Sequence, residues 1–217
     1  MAKRLGRLSI GGGTLTVLLF ALAGTWRDPW LWAYVSVCTL ASSYAILTID
    51  EDLARERFSP PVAGADRVAL GFIRAAAIGH LAVGALDSGR WHLAPVSPAV
   101  RGAGLFFVAM MFVLFYGAMR TNRFFSAVIR IQDDRGHRVV DRGLYSIVRH
   151  PGYAGLILGI PSSGLALGSW LAAGMGVVMS ALILRRVMFE DAFLRANLDG
   201  YPAYAARVPH RLIPGLW

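Results

Sequence analysis

The sequence predicts an all-α, polytopic membrane helix bundle, and three observations carry that prediction. Apolar residues make up 56% of the 217 positions and charged residues 16%, against about 45–50% and about 25% in soluble domains. The apolar residues come in runs of roughly 20, the length that crosses a hydrocarbon core of about 30 Å. The 22 basic residues, set against 13 acidic ones, gather in alternate joints between those runs, as the positive-inside bias requires. Intrinsic disorder, collagen and an ordinary soluble domain are excluded. The net charge of +9 reads as a topology signal, so no nucleic-acid partner is expected.

The expected bundle has four N-terminal spans followed by a C-terminal helical hairpin. The first run, Leu8 to Thr25, follows Lys3, Arg4 and Arg7. Ala21-Leu22-Ala23 also fits a signal-peptidase site, but the run is read as a retained helix. The second run is Trp30 to Ile49, and a charged joint from Asp50 to Arg67, with Pro60-Pro61, follows it. The third is Val68 to Leu86, with Arg74 and His80 inside, and the fourth is Val100 to Met119. Residues Arg120 to Gly152 are strongly polar. The next apolar stretch, Tyr153 to Leu184, would make one helix of about 48 Å, too long for a single crossing. Pro161-Ser162-Ser163-Gly164 and Gly168-Ser169 interrupt it, so it is read as two arms of a hairpin. A helical segment from Arg185 to Leu198, lying partly in the interface, is expected to end at Asp199-Gly200-Tyr201-Pro202. Residues 1–119 and 120–217 are thus two parts of one integrated domain.

With the N-terminus in the cytoplasm, eighteen Lys and Arg fall on the cytoplasmic side; Arg27, Arg90 and Arg101 lie in the outer loops and Arg74 within a span. Both termini are then cytoplasmic, in the inner membrane. The hairpin returns the chain so that the Arg120–Gly152 segment and the C-terminal tail meet on one side.

Cys38 is the single cysteine, so no disulfide or thiolate metal site forms within the chain. Metal-spaced ligand clusters, a Walker-type loop and Gly-x-Gly-x-x-Gly are all absent, and no metal is expected. Gly11-Gly12-Gly13 suits close helix packing. Intramembrane Arg74 and His80 are what a transport path would use, but one or two turns apart on the third span they are read as structural in the bundle.

Two constellations have the residue types for chemistry. Pro151 suits the first position of a helix, which puts His150 at its cap and its free N–H groups toward the cytoplasm, where they attract carboxylate or phosphate. Taken alone, Arg149 and His150 read rather as anchors of a span at the headgroups. Arg186 and Glu190, four apart, share a helix face. They suit either an intrahelical ion pair, worth little, or a division of labour in which Arg186 holds an anion and Glu190 an ammonium. The string Gly200 to Pro214, rich in Tyr, Pro and Arg, suits an interfacial anchor or a cover over a site.

Taken together, Gly136-His137-Arg138-Val139-Val140, Gly143-Leu144-Tyr145, Arg149-His150-Pro151-Gly152-Tyr153, Arg186-x-x-x-Glu190 and Gly200-Tyr201-x-x-Tyr204 with Val208-Pro209 and Ile213-Pro214 resemble the isoprenylcysteine carboxyl methyltransferase family. These are relatives of the membrane phospholipid methyltransferases. The resemblance runs from about Asn122 to the C-terminus. Arg138 and the short linker from Glu190 to Tyr201 fit a bacterial branch, whose acceptor need not be a prenylated protein.

The resemblance implies S-adenosylmethionine as methyl donor, bound in a cytoplasmic pocket. It implies Gln132, His137, Val139, Val140, Tyr145, His150, Tyr153 and Glu190 as cofactor contacts, with Arg186 and His150 catalytic and Arg186 on the substrate side. Glu190 would pair with the cofactor ammonium, and Tyr145 and Tyr153 would offer aromatic faces. The implied acceptor is a lipophilic small molecule or a lipid-anchored group drawn from among the membrane lipids. A carboxylate is favoured because arginine suits it. N-methylation of a lipid amine, with Asp133, Asp134 or Asp191 beside the acceptor, is the alternative within enzymes. A non-catalytic membrane scaffold or transport component is the alternative outside them.

Overall fold

The computed structural model describes residues 2–58, 60 and 66–217, without the side chains of 2–11, 58 and 67. Pro61 and the four residues after it, in the charged joint, lie outside the described residues, as do the side chains of Lys3, Arg4 and Arg7. Among the described residues all regular structure is helical: α1 (Ala2–Ala23), α2 (Pro29–Thr48), α3 (Glu51–Phe58), α4 (Arg67–Leu86), α5 (Pro98–Thr121), α6 (Pro151–Leu167), α7 (Trp170–Asn197) and α8 (Tyr201–Arg207). Among the described residues, four helices are long and apolar enough to cross a membrane: α2, α4 with the turn after it, α5 and α7.

Local sequence starts these helices where it should. Asp28 caps α2 by accepting from the Trp30 N–H, with Pro29 in the first turn. Ser97 and Pro98 do the same for α5. Ser169 caps α7 by accepting from the Ala172 N–H at 3.0 Å. These side-chain oxygens satisfy N–H groups that the first helical turn leaves without partners.

The hairpin differs from expectation in two ways. Its turn is confined to Gly168-Ser169, with Gly168 at φ +89°, while Pro161 stays inside α6. Proline cannot donate to the carbonyl four residues earlier. Here the Ile157 carbonyl accepts from Ser180 Oγ of α7 instead, at 3.2 Å. Gly176 lets α7 approach this point, since a Cβ there would lie 2.6 Å from the Pro161 Cα. Secondly, no break separates the second arm from the segment beginning at Arg185. The 28 residues of α7 make one rod of roughly 42 Å. It outruns the hydrocarbon core by about two turns, and Arg186, Glu190 and Asp191 sit at its emerging end.

Inside the bundle, His80 bonds the Ala172 carbonyl through Nδ1 at 2.9 Å and Ser163 Oγ through Nε2 at 3.0 Å. Tyr34 reaches the same serine at 2.9 Å. The network satisfies buried polar groups of four helices. That is the structural role, not the transport one, foreseen for His80.

Three polar segments converge at one end of the bundle. Arg130 joins the 120–150 segment to α3 through Glu56, at 2.8 Å, and Arg135 reaches Asp52 at 2.5 Å. The tail meets the same segment by backbone: the N–H groups of Arg149 and His150 donate to the carbonyls of His210 and Arg211 at 3.0 and 2.9 Å. At the other end, Arg101 pairs with Asp28 at 3.1 Å, and Ser169 donates to Asp87 at 2.5 Å. The charge pattern foresaw this division into two ends.

Candidate active site

A cavity of about 450 Å³ opens at the polar end and runs down between helices. Its size lies within the roughly 300–1,000 Å³ of small-molecule sites. All eight residues expected to contact a cofactor line it, and so does Arg186.

The roof comes from the 120–150 segment. Gln132 is fully buried and donates through Nε2 to the Phe124 carbonyl at 2.7 Å, while its Oε1 accepts from Arg135. The Gln132 backbone N–H donates to His137 Nδ1 at 3.3 Å, so the ring proton sits on Nε2. The ring leans on Phe124, with centroids 4.7 Å apart. Burial, together with the neighbouring Arg130, pushes the His137 imidazole down to about 4, so it is neutral at pH 7. Tyr145 is buried, and burial holds its phenol protonated, above its ordinary range. Its carbonyl accepts from the Tyr204 hydroxyl at 2.7 Å, which ties the roof to α8. Val139 packs against the same α8 cluster.

The wall comes from the start of α6 and the end of α7. His150 caps α6, with Pro151 in its first turn. The His150 Nε2 lies 3.4 Å from Asp191 Oδ1, and Tyr153 donates to Glu190 at 2.6 Å. That bond is the polar contact the structure gives the Glu190 carboxylate, which therefore keeps acceptor capacity toward the cavity.

The Arg186–Glu190 ion pair is not formed. Arg186 reaches across to Asp66, before α4, at 2.9 Å, and donates to the Ala127 carbonyl at 2.6 Å. Its guanidinium stands 5.9 Å from the centre of the Tyr153 ring. The Arg186 Nε is buried without a hydrogen-bond partner, a state that costs about 1–3 kcal/mol unless something accepts from it.

Asp191, weighed above as an acid near an acceptor, has no capacity left for that work. Arg149 grips it with two bonds at 2.8 and 3.2 Å. Arg195 and Arg211 each reach Oδ2 at 3.1 Å, and the Tyr201 hydroxyl donates to Oδ1 at 3.0 Å. Asp134 is turned outward onto Arg130, at 2.8 Å. Asp133 is exposed and does not line the cavity.

Sequence reasoning missed the contributions of α3 and α4. Arg57, Leu70, Ile73, Arg74 and Ala77 form the lower wall, where the cavity turns apolar. The positions 70, 73, 74 and 77 share one face of α4 by helical spacing, a signal the sequence did contain.

Comparison with known proteins agrees with this region. Residues 103–196 match the model of the isoprenylcysteine carboxyl methyltransferase (ICMT) family. Protein-S-isoprenylcysteine O-methyltransferase B of Arabidopsis thaliana is 30% identical over 89 residues, 40% of this chain and 45% of that protein. The protein-S-isoprenylcysteine O-methyltransferase of Schizosaccharomyces pombe is 28% identical over 87 residues, 39% of this chain and 37% of that protein. The matched part thus spans less than half the length of these curated relatives. Over the whole fold, the solved structure of the eukaryotic intramembrane Ras methyltransferase ICMT superposes with a TM-score of 0.64 at 20% identity, covering 96% of this chain and 75% of that one.

Proposed function

We infer that this chain is a member of the isoprenylcysteine carboxyl methyltransferase family, a multi-pass membrane methyltransferase that uses S-adenosylmethionine and acts on a lipophilic carboxylate. The observation that carries the reading is one cavity lined by polar and aromatic residues as well as apolar ones, with Glu190, whose carboxylate has one hydrogen-bond partner, and Arg186, whose Nε has none, both among the lining residues.

The chamber fits the cofactor. Glu190 supplies the anion for its ammonium, at the strength of a charge-assisted bond. The first N–H groups of α6, beside His150, suit its carboxylate. Tyr145 and Tyr153 give aromatic faces, and Val139 and Val140 exclude water beside them. Neutral His137 adds no charge near a cationic donor. When bound, the cofactor supplies an electrophilic methyl group. The chain's own work is then to hold an already ionised carboxylate in line, which needs no strong base and lowers the barrier by about 7–11 kcal/mol when alignment is good. The Arg186 guanidinium holds that carboxylate, while Asp66 at 2.9 Å and the Ala127 carbonyl fix its plane. His150, bound to Asp191, sets the start of α6 and so aims the N–H groups. The polar end faces the cytoplasm of the inner membrane by the distribution of Lys and Arg.

An amine acceptor fits this cavity poorly, because Arg57, Arg74 and Arg186 all line it and would repel an ammonium. Glu190→Gln tests the reading. In detergent, calorimetric S-adenosylmethionine affinity should fall by about 1.5–3 kcal/mol, with thermal unfolding of the cofactor-free protein unchanged. Wild-type affinity in the variant would reject the assignment.

A further inference from the structure

Three guanidinium groups line the lower cavity, and one carboxylate answers them. Asp66 pairs with Arg186 at 2.9 Å. Arg57 contacts no carboxylate: its Nη1 donates to the Ser126 carbonyl at 3.4 Å, and its guanidinium lies over the rings of Phe115 and Phe125, at 5.1 and 5.6 Å. The neighbouring Glu56 is already committed to Arg130 and Ser126. Arg74, within the apolar helix α4, has no ion pair among the described residues. The residues outside the description carry no Asp or Glu that could supply one. Burial first, and then the charges of Arg186 and Arg74, lower the proton affinity of Arg57. These cations therefore feel one another with no anion between them. Arg74 is exposed and Arg57 half-buried; like charges lining one cavity are unfavourable unless an anion joins them, and an arginine within a membrane span is a functional-site candidate by default.

We propose that Arg57 and Arg74 form an anion subsite, separate from Arg186, that takes the phosphate of a membrane amphiphile. Two unpaired guanidiniums carry a formal charge of two. A phosphate monoester, with about 1.5–2 negative charges and three acceptor oxygens, matches them better than a carboxylate with one charge. The amphiphile follows from the wall around the pair. Leu70, Ile73 and Ala77 flank Arg74 on one face of α4, and Ile160, Met179 and Ile183 also line the cavity. An acyl or prenyl chain lies along those residues with its phosphate at the arginines. The inference rests on the methyltransferase reading only where it takes that amphiphile to be the acceptor, since the charge imbalance exists whatever the reaction.

The test uses the full chain in phosphatidylcholine nanodiscs, with dodecyl phosphate titrated by calorimetry and dodecanol and inorganic phosphate as comparison probes. Dodecyl phosphate should bind tightest. Arg57→Gln and Arg74→Gln should each weaken it about tenfold, the loss expected for one charge-assisted bond, with S-adenosylmethionine affinity unchanged as proof of folding. Wild-type dodecyl phosphate affinity in both variants overturns the subsite. Inorganic phosphate binding as tightly as dodecyl phosphate overturns the amphiphile. Competition between dodecyl phosphate and the methyl acceptor of a lipid extract assigns the phosphate to the acceptor. Binding without competition assigns it to a neighbouring lipid, and the subsite stands in either case. Failure of the wild type to bind S-adenosylmethionine would reject the methyltransferase reading and leave the phosphate titration to be judged alone.

Discussion

Two places in this molecule gather three arginines with one paired carboxylate, and they resolve the imbalance oppositely. At the polar end, Arg149, Arg195 and Arg211 all contact Asp191 within 3.2 Å. Arg149 spends its remaining Nη1 donors on the carbonyls of Val208 and Pro209, at 2.7 and 2.8 Å. Arg57, Arg74 and Arg186 line the lower cavity, and among the described residues Arg186 alone of these pairs with a carboxylate, Asp66. The first cluster is closed and fastens the tail onto α6 and α7. The second is open, with Arg57 and Arg74 without ion pairs among the described residues, and unpaired charge lining a cavity is what a binding site requires. Equal composition therefore does not mean equal role; the count of satisfied donors separates a clamp from a receptor.

The comparison can be broken most severely at Asp191. Asp191→Ala leaves Arg149 buried without its partner, a loss of about 3–5 kcal/mol. The detergent-solubilised protein should melt far earlier or fail to stay monodisperse. A normal melting curve would show that the clamp is not structural. Arg186→Lys sharpens the other side. It keeps the charge beside Asp66 but removes the planar fork, so turnover of a carboxylate acceptor should drop by roughly tenfold or more while S-adenosylmethionine still binds. Wild-type turnover would remove Arg186 from the acceptor's side of the cavity. The smallest effect belongs to Arg195→Ala. Its side chain is 42% exposed and Asp191 keeps two other arginines, so the change in stability should stay below about 1 kcal/mol.

Much of the architecture was legible because a bilayer imposes a single rule, apolar runs of sufficient length separated by charged joints. The exceptions have local physical reasons. Pro161 reads as a break, yet Ser180 bonds the carbonyl that Pro161 cannot serve, and no pattern within α6 foretells a partner 23 residues away. Arg185-Arg186 reads as the edge of a new segment, yet charges are tolerated on a continuous helix once it has left the hydrocarbon. In the site, the residues between Gln132 and Glu190 were legible because their motifs are local in sequence. Arg57, Asp66 and Arg74 were not, because a charged joint and a lone intramembrane arginine look alike whether or not the fold turns them into a cavity. Asp191 was misjudged as spare, since the arginines that consume its lone pairs come from before α6, from within α7 and from the tail.

The unbroken course of α7 makes it a lever. Its fulcrum is Ser169, held by Asp87 on the far side of the bundle, and its working end carries Arg186 and Glu190. Over an arm of roughly 32 Å, one degree of tilt moves Glu190 by about half an ångström. Misplacement of about 1 Å can cost a hundredfold in rate. A thinner or thicker bilayer tilts long helices, so under the proposed methyltransferase reading the lipid composition of the membrane would act on the reaction mechanically, with no contact at the reacting atoms.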